Sequence, residues 1–167
     1  ALDSCIIGKW QGGDEELLSK VPQAVGKTLP YDILQSYKRY ASLFGIRLDF
    51  LWAQALLETD GFRFTGQVPA DFHNLCGLKN KNGTGFAQFS TWDAGAMAHI
   101  AHVSAYVYPD HYNSFCNWIN DPRHPTYHWN TVKVVGDFGG VDQWGRVKWC
   151  GNPEYATNII KRWRNGY

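Results

Sequence analysis

The chain of 167 residues is short of several things, and each shortage closes off a class of function. Charge of one sign is the first: sixteen basic against fifteen acidic residues leave a formal net charge of +1. That balance supplies no long-range field for nucleic acid or an anionic membrane surface. Long apolar runs are also missing. No stretch approaches the ~18 to 20 apolar residues of a membrane span. The opening "ALDSCIIGKWQGGDEE" lacks the basic-then-apolar pattern of an export signal. Cys5, Cys76, Cys116 and Cys150 are widely spaced and form no C-x-x-C pair, which removes a zinc ribbon; their even number leaves disulfides open in an exported protein. There is no internal repeat and no phosphate-cradling glycine motif, since "GDFGGVDQWG" is followed neither by Lys-Ser/Thr nor by a helix pattern. Glutamate is the scarcest charged residue, with four in the chain, and one of them, Glu58, ends an apolar run.

Aromatic residues, by contrast, are abundant: 16% of the chain, with eight Trp and nine Tyr. Wide apolar faces suit flat ligands such as sugar rings, and equally fill a core. The length fits one compact domain. Residues 1–30, rich in Gly, Lys and Pro, read as an N-terminal arm with a short helix from Asp14 to Val21 stopped by Pro22. Helical spacing of Ile33, Leu34, Tyr37, Tyr40, Ala41 and Phe44 predicts an amphipathic helix capped by Asp32 and stopped by Gly45. Asp49 is placed to cap a second helix over Phe50 to Glu58, apolar nearly all round and closed by Gly61. Residues 62–89 are loop-like, with a hairpin about Asn82-Gly83. A Ser90/Asp93 capping box opens a third helix to about Tyr108. Prolines and glycines break 109–152 into short helices and loops, and Asn152-Pro153-Glu154 opens a last helix through about Trp163. The expected fold is mainly α, with at most a small β-hairpin.

Glu58 shares a helical stripe with Leu51 and Ala55 and sits in the last turn of its helix. Desolvation and the carbonyl end of the helix both disfavour a carboxylate there, so the proton stays on. A protonated carboxyl in an apolar setting is the group that glycosidic cleavage uses to protonate a leaving oxygen. From geometry alone the same side chain could equally snorkel, or pair with Arg63.

The blocks "AQALLETDGFRFTGQVPADFHNLCGLKN", "GFAQFSTWDAGAMAHIAHVSAYVYP", "DPR", "VGDFGGVDQW" and "WCGNPEYATNII" decide between those readings. In order and spacing they resemble the bacterial glucosaminidase family, endo-β-N-acetylglucosaminidases that cut peptidoglycan on a lysozyme-like helical fold. The likeness runs from about Ile7-Gly8-Lys9 to Ile160. It implies that residues 31–167 form the catalytic domain and that Glu58, in a Glu-Thr-Gly-like motif, is the catalytic acid. It implies too that His73-Asn74-Leu75-Cys76-Gly77-Leu78 shapes the cleft floor. Two positions depart from the pattern: Asp60 stands where the family commonly has glycine, and His73 where it often has asparagine. Asp60 is expected to turn to solvent or to cap the Phe62 region.

The implied activity is hydrolysis of the β-1,4 bond between N-acetylglucosamine and N-acetylmuramic acid in glycan strands of the wall, outside the cell. No cofactor, metal, nucleic acid or membrane is called for, and the domain is expected to be monomeric by itself or part of a larger wall or phage protein. A lytic transglycosylase and a catalytically silent wall-binding module remain as alternatives. For substrate contacts, Trp92, Trp129, Trp144 and Trp149 are candidates to stack on sugar rings, and Asn74, Gln88 and Tyr155 to hydrogen-bond acetamido groups. Phe138 and Trp144 flank the glycine-rich loop. His99 and His102 lie three apart, but no further metal ligand is near, so His102 and Tyr106 are read as one face of the cleft. Asp71, Asp93, Asp121, Asp137 and Asp142 are the candidates for a second carboxylate; Asp93 is accounted for by its cap and Asp121 by the Asp-Pro turn.

Overall fold

The computed structural model describes residues 2–108 and 131–166. Among the described residues five α-helices form the body: α1 (Asp14–Leu18), α2 (Thr28–Phe44), α3 (Leu48–Thr59), α4 (Trp92–Val107) and α5 (Tyr155–Asn165). The expected mainly α architecture holds, and strand pairing among the described residues is confined to isolated bridges. One of these, Lys79 with Phe86, closes the hairpin expected about Asn82-Gly83. No described helix is long and apolar enough to cross a membrane.

Helix α2 begins at Thr28, ahead of the expected Asp32 cap. Pro30 falls in its first turn, where a missing N–H breaks no intrahelical bond, so a proline that reads as part of the arm is helical. Gly45 ends the helix in the left-handed region at φ 68°, as expected. In α3, Asp49 does not cap: Arg47 occupies the cap position and its guanidinium holds both Asp49 oxygens, at 3.1 and 2.6 Å. The Ser90/Asp93 capping box is likewise replaced. Thr91 Oγ1 accepts from Ala94 N at 3.0 Å, one residue later than expected. Asp93 is thereby released to join two helices, accepting from Ser36 Oγ at 2.7 Å and Tyr40 Oη at 2.6 Å and pairing with Arg39, all on α2.

Helix α2 packs on α4, and α3 packs on both α2 and α5. Both α3 and α4 are buried over most of their circumference, so neither shows the polar face of a surface helix. Gly95 lets α4 approach the loop before it: a Cβ there would lie 1.8 Å from the His73 carbonyl oxygen. Residues of the first thirty also enter the core. Ile6 and Leu17 are fully buried, the Leu17 carbonyl accepts from Trp52 Nε1 at 2.7 Å, and Cys5 bridges to Val134. Cys5 and Cys150 are free thiols. Pro109, Cys116, Asp121, Pro122, Pro125 and Trp129 lie outside the described residues.

Candidate active site

Helix α3 carries Glu58 one residue before its end and delivers the side chain to a point where α3, α5 and the loops 73–78 and 138–152 meet. The chain reverses sharply there. Asp60 (φ 51°), Gly61 (φ 65°) and Phe62 (φ 64°) all take left-handed backbone, and Asp60, not Gly61, is the residue at the C-cap. Thr59 steadies the reversal: its hydroxyl donates to Ala55 O and accepts from Phe62 N, both at 2.8 Å. Capping of Phe62 therefore falls to Thr59 and not to Asp60.

The carboxyl of Glu58 is asymmetrically held. Oε1 accepts from the Tyr155 hydroxyl at 2.5 Å and from Trp149 Nε1 at 3.2 Å. Oε2 faces Gly77, whose φ of +64° is left-handed and whose hydrogen leaves room that a Cβ, at 3.0 Å from that oxygen, would fill. Burial drives the Glu58 pKa up, against the two hydrogen bonds that pull it down, and the net direction is upward. Part of the residue still reaches the surface. The carboxyl thus has one oxygen anchored and the other facing Gly77.

Asp60, two residues on, is held in the opposite state. Hydrogen bonds from Thr65 and Arg63, both at 2.7 Å, keep its carboxyl below the ordinary aspartate range, and Arg162 lies at 3.5 Å. The left-handed cap turns its side chain to that basic cluster, so Arg63 pairs with Asp60 and not with Glu58. Other carboxylates are engaged away from Glu58: Asp93 with α2, Asp137 accepting from Lys133 N and Val134 N, and Asp142 from Trp144 N and Arg146. Asp71 sits on an exposed 3₁₀ turn, Ala70–Phe72.

The residues expected to touch substrate separate into groups. Tyr155 is buried and bonds Glu58 directly, a closer role than the acetamido contact expected of it. His102, Tyr106 and Phe138 are brought together around Trp149, with ring centroids at 5.0, 5.7 and 5.7 Å. Tyr106 and Phe138 are buried, so they support Trp149 from behind. Asn74 is spent on the loop: its amide donates to Leu78 O and Ala87 O and accepts from Cys76 N and Leu78 N, which uses all four of its hydrogen-bonding positions. Gln88 is exposed on the far limb of the hairpin. Trp144 projects from the loop bridged by Val141 and Val147, 69% exposed, with the Arg146 guanidinium 4.7 Å over its ring. Trp92 packs on His73 and Phe64 at a distance from this cluster.

Two residues of the site carry little signal in sequence. Trp149, a candidate sugar platform by its chemistry, proves to be a donor to Glu58, with its backbone left-handed at φ 73°. Gln54 is the other, although a polar residue four before Glu58 in an apolar helix lies on the same stripe. Its amide and His99 form a buried chain behind Tyr155, and since both His99 nitrogens are occupied by Tyr37 and Gln54, His99 is not available to a metal.

An uncharacterized protein of Borreliella burgdorferi is 29% identical over 130 residues, 77% of this chain, which spans 59% of that relative's length. No solved structure matches. The sequence model of the glucosaminidase family, described as mannosyl-glycoprotein endo-beta-N-acetylglucosaminidase, matches residues 34–167, from α2 through Glu58 and Tyr155 to the end of α5. The chain belongs to the glucosaminidase family, a family of glycoside hydrolases.

Proposed function

We propose that this protein hydrolyses the β-1,4 bond between N-acetylglucosamine and N-acetylmuramic acid in peptidoglycan, at the cell wall, with Glu58 as the general acid. The observation that carries the reading is the Glu58 carboxyl itself: desolvated, raised in pKa, anchored at Oε1 by Tyr155 and Trp149, and open at Oε2 toward Gly77. An acid so prepared holds its proton to higher pH than an ordinary glutamate and delivers it to the glycosidic oxygen as the bond breaks. Donation leaves a carboxylate, and the two hydrogen bonds at Oε1 already point at the charge that develops. Trp149, backed by Tyr106 and Phe138, gives a rigid edge against which a sugar rests, and Trp144 offers a second, outlying face.

Glu58→Gln tests this. The amide keeps both acceptor bonds at Oε1 but has no acidic proton, so release of reducing ends from purified cell wall falls by roughly 10²- to 10⁴-fold while wall binding persists. Product analysis fixes the reaction: a reducing N-acetylglucosamine end supports hydrolysis at this bond, and an anhydro-muramic end assigns the same acid to a transglycosylase. Unchanged lysis removes Glu58 from the mechanism.

A further inference from the structure

Behind the Glu58 carboxyl runs an unbroken chain of hydrogen bonds through the core. Tyr37 Oη meets His99 Nδ1 at 2.6 Å, His99 Nε2 meets Gln54 Oε1 at 2.7 Å, Gln54 Nε2 meets the Tyr155 hydroxyl at 3.1 Å, and that hydroxyl meets Glu58 Oε1 at 2.5 Å. Tyr37, His99, Gln54 and Tyr155 are all buried, on four different helices: α2, α4, α3 and α5.

The chemistry of the links gives the chain one direction. Trp149 Nε1 is a donor only, so Glu58 Oε1 must accept there. Gln54 presents Nε2 to Tyr155, which leaves its carbonyl to His99 and requires the imidazole hydrogen on Nε2. Burial, with His102 beside it, lowers the His99 pKa to about 3, so the ring is neutral and Nδ1 accepts from the Tyr37 hydroxyl. Tyr155 already accepts from Gln54, so its single hydrogen goes to Oε1. With both lone pairs of Oε1 taken, the carboxylic proton belongs on Oε2, the oxygen facing Gly77. Among the described residues, the ionisable groups acting on this chain are Cys76, near both tyrosines, and His102, near His99.

We infer that Gln54, held by His99 and Tyr37, is a positioning residue: it commits the Tyr155 hydroxyl hydrogen to Oε1 of Glu58 and so fixes Oε2 as the oxygen that carries and delivers the proton. Gln54 touches no substrate; it acts through Tyr155. The catalytic consequence rests on the reading of Glu58 as general acid, whereas the polarity of the chain stands apart from it.

The scarcity of glutamate makes the test direct. With four Glu in the chain, ¹³Cδ-labelled glutamate yields a titration curve for Glu58 that needs no turnover. Four proteins are compared: wild type, Gln54→Leu, Tyr155→Phe and the double variant, each checked by thermal melting. Loss of a donor to the carboxylate moves the Glu58 titration to higher pH, so Tyr155→Phe shifts it upward and Gln54→Leu shifts it the same way. In the double variant the Gln54 substitution adds nothing further, because its only route is Tyr155. On wall substrate, Gln54→Leu lowers kcat by roughly tenfold with KM little changed, the cost of a misdirected acid. Gln54→Glu supplies a second check, since its carboxylate accepts from Tyr155 instead of donating and moves the Glu58 titration further than Gln54→Leu does. A Gln54→Leu shift that is absent, or equally large with and without Tyr155, overturns the inference. If the titrations behave as stated but Glu58→Gln leaves wall lysis intact, the positioning chain stands and the catalytic reading of Glu58 fails.

Discussion

Gly77→Ala probes the presented oxygen with the smallest possible change, one methyl group. Two costs follow and they separate cleanly. The first is backbone: at φ +64° an alanine is strained by roughly 1–2 kcal/mol. At ~2–4 °C per kcal/mol for a domain of this size, the melting temperature falls by about 2–8 °C. The second is local to the carboxyl. The new Cβ would sit 3.0 Å from Glu58 Oε2, so that oxygen must recede by some tenths of an ångström. It cannot do so by sliding, because Tyr155 and Trp149 hold Oε1; the carboxyl must rotate about its anchored oxygen, and the proton it carries moves off line. A misplacement of about 1 Å costs on the order of 10²-fold in rate, so half of that predicts roughly a tenfold loss in kcat with KM nearly constant. Gly26→Ala supplies the control. Gly26 has φ +82° and ψ −172°, a conformation at least as costly to alanine, and a methyl group added there would meet nothing within 4 Å, so it carries a backbone cost without the contact. Steady-state release of reducing ends and calorimetry on both variants complete the assay. Wild-type kcat in Gly77→Ala at the lowered melting temperature refutes Oε2 as the working oxygen, and an equal loss of kcat in Gly26→Ala refutes the local argument.

Other outcomes follow from the same distances. Because the folded-state pKa of Glu58 is raised, its ionisation opposes folding as pH rises through that value; Glu58→Gln therefore raises the melting temperature at neutral pH relative to wild type, and the gain shrinks below about pH 4, where the unfolded-state carboxyl also protonates. Asp93 has the opposite sign: burial pushes its pKa up, but Ser36, Tyr40 and Arg39 outweigh that and hold it low. Asp93→Ala costs about 1–2 kcal/mol at neutral pH, discounted for a partly exposed site, and the difference from wild type closes as pH falls below about 3.9 through the folded-state value. Gly95→Ala drives a methyl into backbone, 1.8 Å from His73 O, where no flexible atom can yield. It lowers stability by about 3 kcal/mol or more, read as a drop in the urea midpoint at unchanged slope.

The helices are legible in the sequence because their signals are local. Gly45 and the apolar spacing of α2 and α3 need no partner to be understood. Caps mislead wherever a side chain has a stronger distant use. Asp93 fits a capping box by spacing, yet three donors on α2 claim it; Asp49 fits a cap, yet Arg47 grips both its oxygens. Spacing records what a carboxylate can reach nearby and is silent about what folds over it. The same limit applies at the site. The place of Glu58 at the end of a buried helix is legible from the apolar run before it, whereas its donors come from 91 and 97 residues along the chain. Asn74 shows the converse, a polar residue in a cleft motif whose four bonds all serve the loop.

Glu58 and Asp60 show how a two-residue separation can produce opposite chemistry. Both are carboxyls at the end of one helix, where the exposed carbonyls disfavour a negative charge equally. Backbone hand separates them. Glu58 lies within the last helical turn, so its side chain follows the buried face of α3 and meets only neutral donors. Asp60 takes the left-handed cap at φ 51°, a conformation that an aspartate tolerates better than most residues. Its side chain swings to Thr65, Arg63 and Arg162, where the ionised form is favoured. A glycine at that position would make the same turn and bring no charge. The aspartate adds a carboxylate already neutralised by its own basic partners, so the substitution leaves Glu58 as the one carboxyl of the pair whose protonated form is favoured by its surroundings.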